Sequence, residues 1–377
     1  MARLQSCTSL PRYLATLPLR HIAMSYLLIF AIPLLVSLLI TPWAGRLGRR
    51  WGIVARPGGR RQHEGMIPKL GGLPLLVAYL VGIGLIYWLM PPVEADDALR
   101  LRGVILGSLL LAVGGFIDDR WELGAWPQFA FHFAAAGVAV GHIIFIEVFT
   151  NPLPTAALWQ MPPFVWLVEV QGNEVWLWRP LALLVTLLWI VGMINTVNWL
   201  DGLDGLAAGV GTIAMVLFAW HSYMLEQTAV SAFPLVFAAA LLGFLWFNFA
   251  PARIFLGTGG AWLLAYNIAT LAILSPAKIA TALLVLALPI LDSVWIVAER
   301  LRRGQNPLHG DRRHLHFRLS DSGLSTRRIV LGYYLVALGF GIVAILMPSP
   351  WQKLVMIGLL TAVVFAILAI LSRRSQL

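Results

Sequence analysis

The feature that most limits this chain is a repeated apolar run of about 18 to 22 residues, the length at which a helix crosses ~30 Å of hydrocarbon. The runs fall at about 26–44, 70–90, 101–117, 128–147, 180–199, 205–222, 230–249, 255–274, 277–298, 328–347 and 351–371. In lipid, every backbone N–H and C=O must be satisfied within the protein, so runs of this kind form helices. Composition agrees: 59% of the 377 residues are hydrophobic, only 12% are charged, and mean hydropathy is +0.82. A soluble domain carries about a quarter charged residues. The predicted fold class is all-α integral membrane, a polytopic bundle of about eleven transmembrane helices. The run at 255–274 is the weakest, because Gly257, Gly259 and Gly260 loosen its start. No repeat or low-complexity tract divides the chain. The reading is one membrane domain over 26–371, with a tail at 1–25 and a short cytoplasmic tail at 372–377.

Charge sets the expected orientation. The formal charge of +10 would suggest nucleic acid in a soluble protein. Here the arginines sit in short loops beside apolar runs, without interleaved aromatics. Anionic headgroups and the positive-inside rule account for them, and no nucleic-acid partner is expected. Arg46, Arg49, Arg50, Arg56, Arg60, Arg61 and Lys69 mark the first loop. Arg300, Arg302, Arg303, Arg312, Arg313 and Arg318 mark a later loop, and Arg373-Arg374 the C-terminus. With eleven spans all three lie on one side, expected to be the cytoplasmic side of the plasma membrane. The opposite loops hold Glu94, Asp96 and Asp97, and a stretch at 149–179 in which Phe164–Trp178, centred on Gln171-Gly172-Asn173, is expected as a short external hairpin. Arg3, Arg12 and Arg20 fit this topology poorly. A translation start at Met24 and a surface amphipathic segment are the two explanations weighed. Pro11 and Pro18 argue against a signal peptide. One cysteine, Cys7, excludes an intramolecular disulfide framework and a cysteine-rich metal site.

Polar residues that carry chemistry gather at the arginine-rich ends of these runs. Asp118-Asp119 closes the third run, and two adjacent carboxylates need a cation, a basic partner or a shared proton. A solvated helix end is the plain alternative. Asn195, Asn198, Asp201 and Asp204 are spaced three apart, which forms one polar stripe if helix continues. Amides and carboxylates at membrane depth usually face a wet cavity. A polar helix end followed by a turn is the simpler reading. Gly257-Thr258-Gly259-Gly260 offers either backbone N–H groups for a phosphate or close helix packing. Asp311-Arg312-Arg313-His314-Leu315-His316 suits an anionic, phosphorylated ligand. A loop that only orients the protein would explain its arginines but not its histidines, and a transition-metal site lacks a third clear ligand. Carboxylates that leave room for water and substrate phosphates describe magnesium binding. The combination points to phosphoryl transfer between a nucleotide-activated donor and a lipid acceptor.

These motifs resemble the polyprenyl-phosphate N-acetylhexosamine-1-phosphate transferases. Arg60-Arg61-Gln62-His63, Ile67-Pro68-Lys69-Leu70-Gly71-Gly72, Asp118-Asp119, Asn195 through Gly205, Phe247-Asn248 with Pro251-Ala252, Asp292, and Asp311 through His316 occur in the family's order. The Asp-Arg-X-His-Leu-His form is similar to the N-acetylglucosaminyl branch. The resemblance implies that a lipid phosphate attacks the β-phosphorus of a UDP-sugar, releasing UMP and making a sugar-diphospholipid for envelope polymers such as lipopolysaccharide or teichoic acid. It implies magnesium, with manganese as an alternative, and it allows a homodimer. Asp118 and Asp119 would activate or position the acceptor. Asp201 and Asp204 would lie in the nucleotide and metal region, supported by Asn195 and Asn198. His314 and His316 would meet the donor, with Arg312, Arg313, Arg61 and His63 binding substrate. Five positions depart from the pattern: Thr258 replaces a metal-binding aspartate, Ala261 a serine, Gln128 a lysine, Phe317 a third histidine and Ala55 a first-loop aspartate. A homologue that binds lipid phosphate or regulates a partner is the alternative these departures raise. A transporter of anionic solutes would fit the helix count but not the one-sided motifs.

Overall fold

The computed structural model describes residues 19–374 except 56–64, 93, 147, 151–157, 161–166, 171–172, 177–179, 275–277, 306–312 and 348. Arg61, His63 and Arg312 lie outside the described residues, as does most of the segment before residue 26. The elements run α1 (Leu19–Arg50), β1 (Val54–Ala55), β2 (Ile67–Pro68), α2 (Gly72–Leu89), α3 (Ala95–Trp121), α4 (Ala125–Gly141), β3 (Val148–Thr150), β4 (Leu158–Gln160), β5 (Leu167–Val170) and β6 (Asn173–Trp176). They continue as α5 (Pro180–Leu200), α6 (Leu206–Met224), α7 (Thr228–Asn248), α8 (Gly257–Ile273), α9 (Lys278–Val285), α10 (Ala287–Arg302), α11 (Leu315–Asp321), α12 (Thr326–Leu346) and α13 (Pro350–Arg374).

Each predicted apolar run coincides with a helix or a broken helix, and the chain is an all-α polytopic membrane protein. The expected count of eleven spans is not reproduced. Among the described residues, eight helices are long and apolar enough to cross a membrane, or nine if α9 and α10 form one span bent by 75°. The physical reasons are local. Helix α4 stops at Gly141, before the apolar run does, and α8 begins only at Gly257; each has 17 residues, or ~26 Å of rise. The run at 277–298 breaks at Leu286 because Pro289 has no N–H to donate back one turn, and its ring crowds that carbonyl.

Helix α8 is the centre of the bundle. It packs on α2, α3, α5, α6 and α9, and only Thr258 and Ile273 keep partial exposure. Small residues permit this. A Cβ on Gly115 would lie 2.4 Å from the Gly259 Cα, and one on Gly72 would lie 2.5 Å from the Gly260 nitrogen. Backbones that approach this closely gain dispersion contact without side chains between them. Inside the bundle, Asn267 donates to Ser108 at 2.9 Å and Tyr266 to the Gly103 carbonyl at 3.0 Å, joining α8 to α3. The peripheral α1 and α13 expose Leu27, Leu39 and Leu359, as lipid-facing surfaces do.

The predicted hairpin is present: β5 and β6 pair antiparallel, with Val170 opposite Asn173 and Leu167 opposite Trp176. A second hairpin, β3 with β4, was not anticipated. At the other end, β1 and β2 bring the two limbs of the first loop together. The Phe255 N–H donates to the Pro68 carbonyl and the Gly71 N–H to the Phe255 carbonyl. These bonds seat Lys69 beside the start of α8.

Candidate active site at the polar end of the bundle

The C-terminal ends of α3, α5, α7 and α10 and the N-terminal ends of α4, α6, α8 and α12 share one end of the molecule. Contacts between them fix this arrangement. Asp119, at the end of α3, accepts the N–H groups of Thr258 at 3.0 Å and Gly259 at 3.1 Å, capping α8. The Ala252 N–H donates to Asp204 Oδ2 at 2.8 Å. Arg327 Nε, from α12, donates to the Ala250 carbonyl at 2.9 Å.

The two adjacent aspartates have separate partners. Asp119 meets the positive end of the α8 dipole, so the glycine-rich stretch presents its free N–H groups to a carboxylate of the chain itself. Gly257 makes this possible: its φ is +73°, and a Cβ there would lie 2.6 Å from Asp119 Oδ2 and 2.2 Å from the Lys69 carbonyl. Asp118 Oδ1 accepts from the Leu123 N–H at 3.0 Å and from Gln128 Nε2 at 2.8 Å. Gln128, which stands where a lysine was expected, keeps a donor on Asp118 and lacks the charge. Lys69 supplies a cation nearby; its Nζ is 3.5 Å from Glu122.

The predicted polar stripe divides into two parts. Asn195 turns into the bundle, with Nδ2 donating to the Val191 carbonyl at 2.8 Å and lying 3.5 Å from His132 Nδ1. His132 is itself buried against Trp262. Asn198, Asp201 and Asp204 remain half-buried at the polar end. Asp204 holds the loop before α8 through Ala252. The Asn198 and Asp201 side chains make no hydrogen bond among the described residues. Burial, then the negative charges of Asp119 and Asp204, push the Asp201 carboxyl up to about 8.

His314 and His316 lie against the turn that carries Asp201. Their rings stack 5.8 Å apart, and Trp199 lies 5.7 Å from His314. A Cβ on Gly202 would be 2.3 Å from His316 Nε2 and 2.7 Å from the Phe317 ring. Phe317, in place of a histidine, packs on His316 at 4.2 Å. Arg313 donates to Gln305 at 2.9 Å. Asp292, given no role from the sequence, is buried in α10 and bonds His314 Nδ1 at 2.8 Å. A lone acid inside an apolar run was the signal that could have singled it out.

Among the described residues, no three His, Cys, Asp or Glu side chains form a cage for a metal ion. The donor set does fit a hard cation that keeps its waters and takes further oxygens from a substrate phosphate. Asp201, with no hydrogen bond among the described residues, faces the negative charges of Asp119 and Asp204.

The arrangement defines a membrane protein with an acidic, histidine-flanked polar cluster at one end of an apolar helical bundle. The model of glycosyl transferase family 4 matches residues 101–276. The chain is 31% identical, over 88% of its length and 88% of the relative, to a probable undecaprenyl-phosphate N-acetylglucosaminyl 1-phosphate transferase of Bacillus subtilis. It is 30% identical to a decaprenyl-phosphate N-acetylglucosaminephosphotransferase of Mycolicibacterium smegmatis, over 95% of this chain and 91% of that one. It is 24% identical to the undecaprenyl-phosphate alpha-N-acetylglucosaminyl 1-phosphate transferase of Escherichia coli K12, over 76% and 74%. The chain belongs to glycosyl transferase family 4, among the polyprenyl-phosphate hexosamine-1-phosphate transferases.

Proposed function

We propose that the chain transfers a sugar-1-phosphate, N-acetylglucosamine-1-phosphate in the first place, from a UDP-sugar to a polyprenyl phosphate. A lipid phosphate oxygen attacks the β-phosphorus, the bond to the UMP oxygen breaks, and UMP leaves. The observation that carries this reading is the meeting of Asp119, Asp201 and Asp204 with His314 and His316 at the polar end of an apolar bundle. The names of the relatives support the acceptor and the sugar.

Asp201, with help from Asp204, would hold magnesium, which neutralises charge on the diphosphate when bound. Asp119 sets the α8 N-terminus in place, and Asp118 is held by Gln128; both act by positioning in this reading. His314 and His316 would contact donor phosphates or sugar, with Arg313 nearby and Arg61, His63 and Arg312 completing the anion-binding set. The polar end faces the cytoplasm of the plasma membrane, where UDP-sugars are made, and α4 and α8 complete eleven crossings. The test is UMP release by purified protein given UDP-N-acetylglucosamine, undecaprenyl phosphate and magnesium. Absence of turnover with every UDP-sugar tried would remove the enzyme reading. Thr258, a neutral residue at an expected metal carboxylate, favours a second reading: a lipid-phosphate-binding homologue without turnover. That outcome would appear as lipid binding without UMP release.

A further inference from the structure

Asp292 lies in the second turn of α10, just past the 75° bend. Its residue is 3% exposed, and both carboxylate oxygens serve one short stretch of chain. Oδ2 is 2.8 Å from His314 Nδ1, and Oδ1 accepts the Leu315 N–H at 3.0 Å. An ionised carboxylate only accepts, so the proton on that bond belongs to Nδ1, and Nε2 is the ring nitrogen left for a ligand. The contacts continue toward the carboxylate cluster. His314 lies beside Trp199 and stacks on His316, and His316 rests on Gly202, next to Asp201. A buried acid that spent both oxygens on helix packing would leave these rings free to turn; this acid binds the ring and the backbone of the same loop.

We infer that Asp292 is a positioning residue, which fixes His314 in one tautomer and anchors the start of α11 against the Asp201-Gly202 turn, so that His314 and His316 meet a donor diphosphate as a pre-set pair. The inference rests on the transferase reading for its substrate, while the anchoring is a property of the chain itself. Two variants separate the two roles. Asp292→Ala removes both bonds. Asp292→Asn can still accept the Leu315 N–H, but its amide donates to Nδ1 and selects the other tautomer.

Hydrogen–deuterium exchange over 313–321 should be roughly tenfold faster or more in Asp292→Ala and near wild type in Asp292→Asn. UMP release should show kcat lowered on the order of 10–100-fold in Asp292→Asn, the usual effect of losing a partner behind a ligating histidine, with KM for the lipid phosphate unchanged. In a His314→Ala background the same substitution should cost less than about twofold, because its effect passes through that ring. Losses that multiply in the double variant would overturn the tautomer role, as would a wild-type rate in Asp292→Asn. Unchanged exchange in Asp292→Ala would overturn the anchoring. If the wild-type protein releases no UMP, the transferase reading fails, and the exchange experiment still decides whether Asp292 anchors the loop.

Discussion

Asp119 and Asp201 are two carboxylates at one end of the molecule that differ in their hydrogen-bond partners. Asp119 satisfies two backbone donors at the start of α8. Hydrogen bonds to a charged group are worth about 1.5–3 kcal/mol net. Asp201 bonds nothing among the described residues and is repelled by its neighbours. Asp119→Asn should therefore lower the melting temperature in detergent as well as activity. Asp201→Asn should leave the metal-free melting temperature unchanged or raise it, while cutting UMP release by roughly 10²–10³-fold, the scale of losing one electrostatic contact to a transition state. Equal destabilisation by both variants would contradict these assignments. Thr258→Asp adds a carboxylate beside Asp119, which accepts the Thr258 N–H and whose charge reaches Asp201. It should lower the magnesium concentration giving half-maximal rate and reduce stability in EDTA; a magnesium titration reads both. Gln128→Ala removes a donor from Asp118, and a rate loss of about tenfold corresponds to the ~1.4 kcal/mol that one such bond supplies.

Helix positions follow from where backbones can touch. A methyl group at Gly115 would press on the backbone of Gly259, which no rotamer change relieves. Gly115→Ala should cost about 1–3 kcal/mol and displace the α8 N-terminus that Asp119 caps. Gly137→Ala, in α4, meets nothing within 4 Å and should be neutral or stabilise by up to ~1 kcal/mol through helix propensity. Thermal unfolding in detergent compares the two. Most elements could be read from the sequence because a run of apolar residues has one stable form in lipid. Their ends could not be, since α4 stops inside its apolar run and Pro289 divides α9 from α10. The site was legible in part for the same reason: Asp118, Asp119, Asp201 and Asp204 stand out against apolar neighbours. The partners of those groups were not legible. Asn195 faces His132 rather than the carboxylate cluster, and the bond from Asp292 to His314 appears only in the folded chain.

At the scale of the whole molecule, the shared polar end makes orientation testable. A fluorescent reporter after Arg374 should mature, as it does only in the cytoplasm, and a reporter in the loop holding Glu94, Asp96 and Asp97 should report the opposite side. The reverse pattern would place the candidate site outside the cell and remove it from the supply of UDP-sugars. Orientation is carried by the arginines flanking each span, and both reporters read the same with nine crossings or eleven, because α4 and α8 change the count by two.

The enclosure of α8 has a consequence for how the protein is made. Of the five helices it packs against, α2, α3, α5 and α6 precede it in the chain, and only α9 follows. As α8 leaves the ribosome, its slot is already in the membrane, lined by earlier helices. A short, glycine-opened segment need not persuade the insertion machinery by its affinity for lipid, because it enters protein rather than bilayer. Helix α8 thus closes a receptacle whose other walls, α9 apart, precede it in the chain, and Asp119 is waiting there to receive it, before α10 and the histidine loop follow.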